Sequence, residues 1–205
     1  MLGRATSDKN EETSARTDVA ENLYGHTLYL QGKYAEAIPF FERSMSLGQS
    51  DGWPEHNWAR ALAKLGRSDE ARAKYEASVQ RVNASLEAAK TKLSEAAFNK
   101  LFQARKENVA VFHNALAWHI VSTGPTDELS LKRAAEVARY ACDLTDNSAA
   151  DFLDTLASVQ AAQGDFKAAI ATEERALQFV SDMSAEQTEY EMKVKEWREQ
   201  AMKDQ

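Results

Sequence analysis

Apolar residues recur every three or four positions along most of the chain, the period of a helix with one buried face and not the alternation of a strand. Leu23, Tyr24, Thr27, Leu28 and Leu30 share this spacing and stop at Gly32, where a left-handed turn at a helix end favours glycine. A second stripe, Ile38, Phe41 and Met45, predicts a partner helix from about Tyr34 to Leu47, with Pro39 weakening one of its hydrogen bonds. The pattern then starts again. Pro54 suits a first helical position, Trp58, Leu62 and Leu65 lead to Gly66, and Ser68 is placed to cap the next helix ahead of Asp69 and Glu70. From Arg67 to Thr123 there is neither glycine nor proline, and Tyr75, Val79, Val82, Leu86 and Leu93 continue one apolar stripe, so this segment is expected to be helical throughout.

The two halves of this opening segment are in register. Gly32, Ala37, Phe41 and Ser44 return 34 residues later as Gly66, Ala71, Tyr75 and Ser78, and Leu28 returns as Leu62. Two further copies follow on the same ruler. Leu116, Ala117 and Gly124 match a first helix and turn, with Ala134, Ala138, Ala141 and Leu144 as the second helix beyond a turn enlarged by Gly124, Pro125, Thr126 and Asp127. Leu156, Ala157, Gly164, Phe166, Ala169, Ile170, Ala176 and Leu177 make the closest single match. Ala59 and Ala117 hold equivalent places but stand 58 apart, so 24 residues are inserted beyond one period. Shared between the flanking helices, the insert lengthens each by roughly 12 residues, or about 18 Å, as a protruding helical hairpin with its tip near Lys90 to Ser94. One extra short helix from about Ser94 to Lys106 accounts for the same residues. At the end, Ser184 and Gln187 have capping-box spacing, and Tyr190, Val194, Trp197 and Ala201 form a stripe expected to cover the last repeat from Ala185 to Met202.

A period of 34 residues with these small and glycine positions resembles the tetratricopeptide repeat. Gly25 and Ala59 match its small first-helix residue, Gly32 and Gly66 its turn, and Ala37 and Ala71 its second-helix start. The later wording, Asn114-Ala-Leu-Ala-Trp118 and Asp154-Thr-Leu-Ala, is similar to repeat segments of bacterial multidomain proteins. The resemblance implies an all-α, right-handed solenoid of about four helix-turn-helix repeats over residues 17–183 (17–50, 53–82, 108–146 and 148–181), with an extended helical insertion at 83–107 and a capping helix at 184–205. Residues 1–16, polar and without periodicity, are expected to be a disordered leader or linker. It also implies a concave groove lined by first helices: Asn22, His26 and Tyr29; His56, Asn57, Arg60 and Lys64; Asn114, Trp118 and Val121; Asp154, Thr155 and Ser158. Asparagine amides suit a peptide backbone, and Arg60 with Lys64 suits a carboxylate. Asn22 and His26 replace the lysine and asparagine of the chaperone-binding carboxylate clamp.

Charge and candidate chemistry narrow this further. A net charge of -7 argues against a nucleic-acid or anionic-membrane binder. Arg81 to Lys106 runs against that trend as a basic stretch holding Phe98 and Phe102, either a solvated helix face or a docking surface for an acidic partner. No run of about 18 apolar residues or signal-peptide core is present, so a cytoplasmic location is the default. Cys142, the single cysteine, excludes an intrachain disulfide and reads as a small buried thiol. His26, His56, His113 and His119 do not fall at metal-pair spacing, and Asp143, Asp146, Asp151 and Asp154 lack the glycine of a calcium loop. Ser148 and Asp151 are instead expected at a helix start. No cofactor, metal or catalytic residue is expected. The chain is expected to be a non-catalytic scaffold that binds a protein or peptide, with a homo-oligomer open, or else the regulatory segment of a larger multidomain enzyme.

Overall fold

The computed structural model describes residues 17–48, 51–123, 127–181 and 184–203. The expected leader 1–16 and the glycine-proline turn at 124–126 lie outside them. Among the described residues all regular structure is helical, and the chain divides into two compact units, one ending at Leu93 and the other starting at Ser94.

The first unit holds α1 (17–30), α2 (Tyr34–Ser46), α3 (Trp53–Lys64) and α4 (Ser68–Lys92). Its turns are built identically. Gly32 and Gly66 have φ of +77° and +73°, and the following N–H groups, of Lys33 and Arg67, donate back to the Leu28 and Leu62 carbonyls at 2.9 and 3.0 Å. This six-to-one bond satisfies a helix-end carbonyl and needs a left-handed residue, which glycine adopts without a Cβ penalty. Each turn returns the chain so that the paired stripes meet. Phe41, fully buried, joins Leu28, Ala37 and Ala61 in a core against which Tyr34, Ile38 and Trp58 pack. One edge of the Phe41 ring lies against Gly25, where even a Cβ would come within 2.7 Å of Cε1. Ser68, expected to cap α4, is instead its first helical residue, with Arg67 in the cap position; the helix leans on Asp69 and Glu70 in its first turn. Pro39 is accommodated inside α2, which runs unbroken around it.

Glu55 is fully buried in α3, ion-paired with Arg81 of α4. Removing one partner of such a pair leaves a charge in a poor solvent for it, whereas an exposed pair is screened by water. Arg81→Ala is therefore expected to cost about 3 kcal/mol in urea unfolding, whereas Arg67→Ala, which removes the exposed pair with Glu70 at 2.6 Å, is expected to leave the unfolding midpoint unchanged. Equal losses would show that burial does not set the worth of the Glu55 pair.

The second unit holds α5 (Glu95–Thr123), α6 (Glu128–Leu144), α7 (Ala150–Ala162), α8 (Phe166–Ala176), a 3-10 turn (Leu177–Phe179) and α9 (Ala185–Lys203). Helix α5 is continuous, so no separate helix occupies 94–106; the break between α4 and α5 falls at Leu93 and Ser94. Pairs form α5 with α6 and α7 with α8, with α7 also against α5 and α9 across α8. Phe112, Leu116, Ile120, Ala138, Leu153 and Val159 are core residues. Asp127 and Asp165 cap α6 and α8, accepting from the N–H groups of Ser130 and Ala168 at 2.9 and 3.0 Å. Gly164 repeats the glycine turn at φ +81°, but α6 ends without glycine: Asp146 and Asn147 both take φ of +53°, and the Asn147 N–H donates to the Cys142 carbonyl at 2.8 Å. Short polar side chains tolerate this conformation. Ser148 does not cap α7 as expected; its hydroxyl donates to the Thr145 carbonyl at 2.6 Å, and the helix starts beyond Ala149. At the end, Ser184 accepts from the Gln187 N–H at 2.9 Å, and Trp197 of α9 packs on Ala157, Ala169, Phe166 and Ile170.

Candidate partner-binding surfaces

In the first unit α1 and α3 lie side by side, and five of the residues expected to line a groove meet there. The Asn57 amide donates to Asn22 Oδ1 at 3.1 Å, the Arg60 guanidinium lies 4.5 Å from the centre of the Tyr29 ring, and the His26 ring stacks on Tyr29 at 6.2 Å. Lys64 is exposed in the last turn of α3. His56 and Asn57 are displaced from their expected place. Both are 5% exposed, so His56 stands behind this surface, edge-on to Trp53 and Tyr75 at 5.5 and 5.7 Å. Burial, then the Arg60 charge, pushes its imidazole down to about 3, so the ring is neutral and part of the wall. His26 is lowered by the same two causes. Tyr75 is pushed up to about 12, chiefly by burial.

In the second unit Asn114 and Trp118 of α5 face Asp154 and Thr155 of α7, and the space beside them is a cavity of about 270 Å³. Its remaining wall comes from Asp151 and from Glu186, Glu189 and Tyr190 of α9. Helix α9 thus does more than cover an apolar end. Its Lys193 pairs with Asp154 and, at 3.1 Å, with Glu189, and lies 5.9 Å from the Trp118 ring and 5.6 Å from that of Tyr190. Asp154, expected as a free groove carboxylate, is 8% exposed and already neutralised. Ser158 lines a neighbouring depression with Lys193 and Trp197, and Val121 is half-buried outside both. Thr155 turns its hydroxyl onto the Asp151 carbonyl at 3.0 Å. The α9 residues were missed because their stripe accounts for only one helix face, and Lys193 meets Asp154 from 39 positions away.

Glu173 of α8 stands four residues after Ala169, as Phe41 and Tyr75 stand after Ala37 and Ala71. It is fully buried, and neither carboxyl oxygen has a hydrogen-bond partner. Burial, with the Asp154 carboxylate beside it, raises its acid to about 9. Cys142 is a buried free thiol pushed up to about 12 by desolvation and by Asp143. No group of histidine, cysteine or acidic residues among those described is arranged to hold a metal ion, and no described helix is long and apolar enough to cross a membrane.

Stacked helix pairs that set side chains of successive first helices on one surface define a helical-repeat fold. Residues 15–91 match the family model of the tetratricopeptide repeat, and the chain has an all-α, tetratricopeptide-repeat-like fold. BtubC (BKLC) from P. vanneervenii has a similar fold, with a TM-score of 0.63 at 14% identity over 95% of this chain and 84% of that one. A kinesin light chain-like protein of Podosopora anserina with nearly identical TPR-like repeats gives 0.64 at 13% identity, over 93% and 89%. The RpL4 assembly chaperone Acl4 gives 0.58 at 14% identity, over 98% and 87%. At these identities the likeness is one of fold. No curated protein matches the sequence.

Proposed function

We propose that the chain is a non-catalytic scaffold that receives a protein segment on the face formed by α1 and α3. Tetratricopeptide repeats mediate protein–protein interaction, and one structural neighbour is an assembly chaperone of another protein. The observation that supports this face is its preorganisation: the Asn22–Asn57 amide bond and the Arg60–Tyr29 stack hold four side chains in place before any partner arrives. Groups already fixed lose little further entropy on binding. Arg60 and Lys64 then give an acidic side chain or a chain terminus a pair of cations.

The test uses the two cations, half-buried Arg60 and exposed Lys64, because Asn57 is part of the wall. The full chain and its Arg60→Ser/Lys64→Ser variant are compared by affinity capture with quantitative mass spectrometry. A partner enriched by the parent chain is expected to fall at least about fivefold on the variant, with circular dichroism unchanged. Equal recovery would remove the α1–α3 face from the binding function.

A further inference from the structure

The cavity of the second unit has the opposite chemistry to the α1–α3 face. Asp151, Asp154, Glu186 and Glu189 all line it, together with Trp118 and Tyr190. Lys193 brings a cation to the edge of this wall, and it is committed to Asp154 and Glu189. Asp151 and Glu186 are left facing like charges: partial burial raises the Asp151 acid, and Asp154 and Glu186 raise it further. Two observations besides the charge point to an incoming cation. Asn114 lines the cavity with its Oδ1 buried and without a partner. Trp118 remains 45% exposed, an indole face turned toward solvent at the mouth of an acidic recess.

We infer that this cavity receives the guanidinium of an arginine presented by a partner protein. A guanidinium fits where an ammonium fits less well, because it is planar, stacks on an indole face, and directs several N–H donors outward in its own plane. Stacked on Trp118, it can donate to Asp151 and Glu186, with Asn114 on the adjoining wall. The chain's own Lys193, lying near Trp118 and Tyr190 and bound to Asp154, shows that a cation is held at the border of this recess. No redox or covalent step is involved. The inference deepens the scaffold reading by naming a basic residue on the partner, and it concerns a different unit from the Arg60 and Lys64 test.

The experiment uses the full ¹⁵N-labelled chain and small probes, so it does not depend on knowing the partner. The indole N–H resonance of Trp118, identified by its loss in Trp118→Phe, is followed during titration with Nα-acetyl-argininamide. A saturable shift is expected, with no saturable shift from the neutral isostere Nα-acetyl-citrullinamide and weaker binding of Nα-acetyl-lysinamide. Asp151→Asn/Glu186→Gln, both changes on exposed residues, is expected to weaken the arginine probe about five- to tenfold. A flat titration, an equal response to citrulline or lysine, or an unchanged affinity in the double variant would each overturn the assignment. Such a failure would leave the α1–α3 result standing, and loss of partner capture there would leave this titration unaffected.

Discussion

Phe41→Ala is expected to cost about 3–5 kcal/mol in urea unfolding, the largest single loss available in the first unit. The ring is fully buried, so its removal forfeits both transfer free energy and the contacts of a cavity that neighbours fixed to helical backbone cannot close. The more discriminating experiment concerns what the ring rests on. At Gly25 an added Cβ would sit 2.7 Å from Cε1, 2.9 Å from Cδ1 and 3.1 Å from Cζ of Phe41. Gly25→Ala therefore sets two effects against each other. Helix propensity gains about 1 kcal/mol, and overpacking against a ring with nowhere to go costs about 1–3 kcal/mol. The net expectation is a loss of up to about 2 kcal/mol in the parent chain. In a Phe41→Leu background the edge that clashes is gone while the propensity gain stays, so the same change becomes neutral or stabilising. A loss of the same size in both backgrounds would show that Gly25 is not the seat of the ring.

Glu173→Met is expected to stabilise the second unit by about 1–3 kcal/mol at pH 7 to 8, an inversion of the usual sign for a core substitution. A carboxyl group at an aromatic position, without hydrogen-bond partners, loses its hydration with little return. Methionine fills similar volume without a polar atom. The pH dependence carries the sign. The acid titrates at about 9 when folded against an ordinary 4.5, so the folded state holds a proton that the unfolded state has released between those values. Its contribution to stability is complete below about 4.5 and is lost as pH rises toward 9. The advantage of Glu173→Met over the parent chain should accordingly be small near pH 4.5 and widen toward pH 9, read as the difference in melting temperature. A difference that stays constant across that range would show that Glu173 keeps its ordinary acidity.

Much of the fold is legible in the residues because repetition supplies its own control. A glycine recurring 34 positions apart marks the same turn, and the structure gives Gly32 and Gly66 the same left-handed backbone and the same back-donated hydrogen bond. Where that signal is absent the reading loses precision. Asp146 and Asn147 make an equivalent turn that only their left-handed backbone distinguishes from helix-end polarity, Ser68 falls one position inside its helix, and Ser148 holds a capping residue type without capping geometry. The candidate surfaces divide in the same way. Register brings Asn22, Tyr29 and Arg60 to one face, but it cannot say that His56 and Asn57 turn inward, since depth depends on the neighbouring helix. The acidic recess was the least visible part. Its character comes from α9 meeting α5 and α7, contacts among residues far apart in the chain whose polar pairing leaves no periodic trace.

The helix ends on either side of Leu93 have an energetic consequence of their own. No side chain from Glu87 to Asn108 is fully buried, and Phe98, Leu101 and Phe102 are only half-buried, so these turns draw little from either core. Their persistence rests on backbone hydrogen bonds and on the high intrinsic helix preference of alanine, leucine, lysine and glutamate, a source that is marginal in water for short segments. Amide protons there are set to exchange by local fraying, at a free energy far below that of global unfolding, while those of α3 and α7 await a larger opening. A molecule that grips this stretch would therefore be felt first as slowed exchange, a reporter of contact that requires no change in shape.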